Sequence, residues 1–145
     1  MEDDDDRLTD REYEALAGFR KALREFQAFS SSAAQAVGLP TQQHQALLVI
    51  RAAPKGSVVS VGMIAEELLI APHTAAELVG RLESAGLVSR AVDRTDARRV
   101  AISLRPKATK ILSKLSRAHL DEIRQLVPRL ISTLQRISGE EKSRR

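Results

Sequence analysis

One stretch constrains this chain more than any other: between residues 60 and 105 the apolar spacing changes from helical to alternating. Ser60 is a good N-cap for a helix over Val61–Leu69 that turns Ile64, Ala65 and Leu68 inward. A break at Ile70–Ala71 follows. Pro72 then suits the first turn of another helix, where its missing N–H has no partner to lose. That helix carries Ala75, Leu78, Val79 and Leu82 at i, i+3, i+4, i+7. Gly86 stands where a left-handed closing residue is needed. From Leu87 the period falls to two. Leu87–Val92 reads as a strand, and Val100, Ile102 and Leu104 alternate with Arg99, Ala101, Ser103 and Arg105 in a second. Between them lies the polar turn Asp93–Arg98. Two short helices with a tight break, then a charged-tip hairpin, describe a winged helix-turn-helix.

The flanks are helical. Thr9 and Glu12 have capping-box spacing, and Leu8 and Tyr13 are placed to staple the first turn. Leu16, Phe19, Leu23, Phe26 and Phe29 follow at helical spacing, Ser30–Ala34 weaken the helix, and Gly38 with Pro40 end it. A second helix runs from Pro40–Thr41 to Ala52 on the stripe Ala46, Leu47, Val49 and Ile50, and Pro54–Gly56 breaks it. Val58–Val59 is long enough for a single strand pair only. After Pro106 a long apolar stripe runs from Ile111 to Ile137, and Pro128 is expected to kink it or start a new helix.

The predicted fold is therefore mainly α (α+β). It has a winged helix-turn-helix lobe at 39–105, terminal helices at 8–38 and 106–139, a disordered acidic start at 1–7 and a flexible tail at 140–145. One lobe of this size cannot cover both terminal stripes. A second copy would, so those helices are expected to dimerise.

Charge points to the partner. The 145 residues carry 23 Lys and Arg against 19 Asp and Glu, net +4, but five of the acids are Glu2 and Asp3–Asp6. Gly86–Arg117 holds nine basic residues against Asp93 and Asp96. Such density suits a polyanion. The chain has no cysteine, which excludes disulfides, thiolate metal sites and thiol redox switching. His44, His73 and His119 show no i, i+4 metal spacing, and no nucleophile elbow, phosphate-binding glycine loop or paired-acid motif appears. An enzyme, a metal and a cofactor are thus not expected. The start is acidic where an export signal is basic, and no run approaches the ~20 apolar residues of a membrane span. The chain is expected to be cytoplasmic, without a membrane partner.

On the second helix of the pair, His73, Thr74, Ala76, Glu77 and Arg81 face outward and can meet base edges and phosphates in a major groove. The helix starts at Ser60 and Pro72 offer free N–H groups to phosphate. Arg94, Arg98 and Arg99 crowd the hairpin tip, where a guanidinium suits a narrow minor groove. Asp96 can brace Arg98. The candidate DNA-contacting residues are Ser60, those five on the helix, and Arg94, Asp96, Arg98 and Arg99.

Leu47-Leu48-Val49-Ile50, Ile64–Leu68, Leu78–Val88 and above all the wing Asp93-Arg94-Thr95-Asp96-Ala97-Arg98-Arg99 resemble the MarR family of bacterial winged-helix regulators, whose wing carries Asp-x-Arg at the place of Asp96 and Arg98. Ile102–Ala108 resembles the family's strand exit, with Arg105 and Ala108 where Thr and Gly are commoner. The resemblance covers about residues 9–137. It implies a homodimer on a pseudo-palindromic double-stranded operator, and a cavity between arms and lobe whose small-molecule ligand, aromatic or anionic, releases DNA from a repressor. Phe26, Phe29, His44 and Leu47 are the candidate lining, although rings at helical spacing are more often dimer core and His44 more often a half-buried polar group. Glu77 is acidic where the family often has a basic or hydroxyl residue. It can accept from a cytosine amine or repel phosphate. The alternative expectation is a protein-interaction module that keeps the scaffold without binding DNA.

Overall fold

The computed structural model describes residues 7–143, and side chains to Gly139. Two compact units emerge: residues 31–117, and residues up to 30 together with those from 118 on. The first unit reaches beyond 39–105 at both ends, because Ala34, Ala108, Leu112 and Leu115 complete its apolar core.

In that unit α2 (Thr41–Ala52), α3 (Val61–Leu68) and α4 (Pro72–Ser84) pack on a two-stranded antiparallel sheet of β1 (Val88–Val92) and β2 (Val100–Leu104). Leu47, Ile64, Val79, Leu82 and Val88 are fully enclosed. α2, α3 and β1 supply one each and α4 two, the helical ones from the stripes that the periodicity picks out. The hairpin register pairs Val88 with Leu104 and Val92 with Val100. It puts Ile102, Arg90 and Val100 on one face of the sheet, where Ile102 is buried in the core while Arg90 and Val100 stay exposed. The Val58–Val59 segment is tied to the hairpin by one bond, the Ile102 N–H donating to the Val59 carbonyl at 2.9 Å.

The turns explain the angles between these elements. Ser60 caps α3, its Oγ accepting from the Met63 N–H at 3.2 Å. α3 stops one residue earlier than its pattern indicates. Leu69 adopts a left-handed conformation (φ 55°), and its N–H and that of Ile70 close on Glu66 and Ala65. Among the described residues no other non-glycine has positive φ. A leucine fills a place usually left to glycine, so composition gives no warning of the stop. Gly86 (φ 73°) closes α4 conventionally, with the Gly86 N–H on Glu83 and the Leu87 N–H on Leu82.

The other unit is formed by the rest of α1 (Asp10–Ala36) and of α5 (Pro106–Ser143). The capping box forms reciprocally: the Thr9 N–H donates to Glu12 Oε2 at 2.7 Å and the Glu12 N–H to Thr9 Oγ1 at 3.2 Å. Leu8 and Tyr13 both stay exposed. His119 is buried, 2.8 Å from Ser30 Oγ through Nε2 and edge-on to Phe26 and Phe29 at 6.0 and 5.5 Å. Arg129 pairs with Glu25 at 2.8 Å.

α5 corrects the sequence reading. It is one continuous helix: no new helix starts at Pro128, one of the two outcomes expected there, and Gly139, where a terminus was expected, lies inside it. Pro128 and Arg124, whose carbonyl loses its partner, both lie on an exposed part of the helix where water can take the bond. The expected flexible tail thus begins inside a helix: its residues 140–143 are helical, and Arg144 and Arg145 lie outside the described residues, as does the acidic start at 1–6. Among the described residues no helix is long and apolar enough to cross a membrane.

Candidate nucleic-acid interface

α4 and the hairpin tip hold most of the outward-facing candidates. Burial of Ala75, Leu78, Val79 and Leu82 fixes the rotation of α4, so His73, Ala76, Glu77 and Arg81 are exposed and Thr74 is half-buried. Ser60 is half-buried, and its hydroxyl is engaged in capping α3.

The tip is a chain of short hydrogen bonds. The Asp93 N–H donates to the Arg99 carbonyl at 2.9 Å, and the Arg99 N–H to the Asp96 carbonyl at 3.0 Å. Asp93 Oδ1 accepts from the Thr95 N–H and Oγ1, each at 3.0 Å. These two bonds, with the nearby Arg99 charge, hold the Asp93 carboxyl below its ordinary pKa. Asp96 Oδ1 accepts from the Arg98 N–H at 3.0 Å and from Nε at 3.3 Å. The Arg98 side chain is nevertheless 93% exposed. The carboxylate therefore aims the guanidinium without covering it. Arg94 and Arg99 are exposed beside it.

The sequence reading missed Arg90. On β1 its guanidinium reaches back to α4, 3.5 Å from Glu83 Oε2, and lies 3.7 Å from the position a Cβ on Gly80 would take. A small residue on α4 opposite a strand arginine was the available signal. Asp93 and Thr95 were read as turn residues only, and the pairing that makes them a scaffold depends on the closed loop.

The candidate ligand lining is divided between the two units. Phe26 and Phe29 flank His119 in the unit of α1 and α5, while His44 and Leu47 belong to the 31–117 unit. His44 is buried more deeply than half, and Leu47 is fully enclosed. A shallow groove of about 240 Å³ lies elsewhere, lined by Leu48, Val49, Ala52, Ala53, Pro54, Met63 and Glu67. Among the described residues no three His, Asp or Glu side chains converge as a metal site would require.

Residues 37–99 match the sequence model of the MarR family. That span runs from the end of α1 to the last residue of the hairpin tip. Solved structures share the fold. AbsC from Streptomyces coelicolor, a MarR family transcriptional regulator, superposes with a TM-score of 0.71 at 18% identity, over 94% of this chain and 98% of its own. The S. aureus MepR–DNA complex gives 0.69 at 22% identity, over 86% and 92%. CouR from Rhodococcus jostii RHA1, bound to p-coumaroyl-CoA, gives 0.64 at 19% identity, over 81% and 87%. No curated protein sequence matches the chain.

Proposed function

We propose that this chain, a MarR-family winged helix across residues 37–99, is a sequence-specific double-stranded DNA-binding transcriptional regulator that works as a homodimer. The observation that carries the reading is the pairing of an exposed polar face on α4 with an arginine held out at the wing tip by Asp96. The solved MepR–DNA complex of the same fold supports it. α4 supplies base-edge contacts through Thr74, Glu77 and Arg81. Arg98 enters the adjacent minor groove, and the dipole ends of α3 and α4 take phosphate. Phosphate contacts dominate affinity, so binding falls steeply with salt.

The apolar residues that α1 and α5 leave in water support dimerisation, which would give the operator inverted symmetry. A repressor released by a small aromatic or anionic effector is the regulatory form we favour. CouR, solved with p-coumaroyl-CoA, supports ligand control on this fold. Phe26 and Phe29 are the residues to test for such a ligand, because both remain partly exposed.

Selection from a random duplex pool tests the reading. An enriched inverted repeat, bound with strong salt dependence, is expected. Failure to bind any duplex in a salt-sensitive way would leave a protein-interaction scaffold, a role the acidic Glu77 on the exposed face of α4 would fit.

A further inference from the structure

The wing does not exhaust the basic surface. Between Asp96 and Asp121 the chain contains no acid, yet it carries seven Lys and Arg. Two of them, Arg98 and Arg99, belong to the tip. Four others stand on α5 at positions 107, 110, 114 and 117. The i, i+3, i+7, i+10 spacing places them within one arc of the helix. Ala108, Leu112 and Leu115 point into the core, and Lys107, Lys110, Lys114 and Arg117 are all exposed. The result is a ridge roughly 15 Å long at 1.5 Å per residue. None of the four pairs with an acid among the described residues.

The ridge begins beside the C-terminal end of α4. Lys107 Nζ donates to the Ala85 carbonyl at the C-terminal end of α4, 3.2 Å away. An Arg105 nitrogen lies 3.9 Å from where a Gly86 Cβ would sit. Arg105 and Lys107 therefore bring the basic run at the base of the hairpin up to the C-terminal end of α4. The Arg105 N–H closes that base on the Leu87 carbonyl, at the opposite end of the strands from Arg98. Five strand residues at ~3.4 Å each separate the two ends.

We propose that Lys107, Lys110, Lys114 and Arg117 form a second phosphate-contacting track, which binds the DNA backbone flanking the base pairs under α4 and the wing tip. The inference rests on the DNA-binding reading above and extends its footprint. A stripe of cations without acids or aromatic rings reads no sequence. It adds affinity, salt dependence and a preference for long duplexes.

The test uses the full chain and the duplex selected above, once trimmed to the shared repeat and once with ten base pairs added at each end. The triple variant K110Q/K114Q/R117Q removes three exposed charges and leaves Lys107 on its helix-end carbonyl. Expected on the long duplex are at least tenfold weaker binding and a log–log salt slope shallower by about 2.7, at about 0.9 per phosphate contact. On the short duplex the variant should match the parent, and its melting temperature should be unchanged. Equal loss on both lengths, or no loss on the long one, overturns the track. Unchanged long-duplex affinity with lost binding to poly-glutamate would assign the ridge to an acidic protein segment instead. Arg98→Ala keeps the two readings apart: it weakens both lengths if the wing binds DNA. A parent chain that binds neither duplex would sink the DNA-binding reading itself.

Discussion

The two units of this molecule use apolar side chains in opposite ways. In the 31–117 unit the helical stripes are consumed internally, and Leu47, Ile64, Val79 and Leu82 see no solvent. In the unit of α1 and α5, Leu120 and Leu134 are each 50% exposed, and Leu16, Ile123, Val127, Ile131 and Ile137 are exposed too. Among its described residues the buried positions are small or polar instead, Ala15, Ala22, Ser30, His119 and Thr133, with Leu126 the one large aliphatic. Both regions carry equally regular patterns. The lesson is that a stripe measures what a helix needs to cover, and only the neighbours decide whether it is covered. Half-exposed Leu and Ile at regular spacing are the surface a second copy would bury.

That contrast can be broken by experiment. Leu82→Ala, inside the closed core, should cost about 4 kcal/mol in denaturant unfolding, since a cavity adds to the lost transfer energy. Leu134→Ala should cost well under 1 kcal/mol in a dissociated chain. Comparable losses would erase the difference between the units. Leu134→Asp should instead weaken self-association by about 3 kcal/mol, over a hundredfold, in sedimentation equilibrium, because it strands a charge on the face proposed to meet a second copy. A variant as dimeric as the parent would assign the interface to another face.

The wing sharpens the comparison on the functional side. Arg98→Ala should weaken duplex binding about tenfold and reduce the salt slope by about one contact, as read by fluorescence anisotropy. Unchanged affinity would remove the tip from the interface. Ser60→Ala should lower the stability of the 31–117 unit by about 1 kcal/mol through loss of the α3 cap. The smallest effect concerns pH. The Asp93 carboxyl is depressed by Thr95 and Arg99, so its contribution is present above the ordinary carboxylate value and is lost as pH falls through the lowered folded value. Thr95 amide protection in hydrogen exchange should therefore drop only in acid, and Asp93→Asn should abolish that step. A transition unaltered in the variant would place its origin elsewhere.

Local chemistry alone determined much of the molecule. The cap at Ser60, Pro72 at the first turn of α4, the closing Gly86 and the shift to period two each act within a few residues, so the helix-turn-helix, the hairpin and the outward set on α4 could be read directly from the residue order. The Asp96–Arg98 brace was equally legible, because its partners are two residues apart. Tertiary structure decided what depends on distant groups. Leu69 takes a left-handed conformation at the end of α3, where no glycine marks the stop. Pro128 and Gly139 lie within one helix, against their intrinsic preferences. Arg90 folds back from β1 onto α4, and His44 is enclosed while His73 is not. Short-range propensity is written in adjacent side chains. Burial is a property of the whole packed arrangement, and no window of sequence contains it.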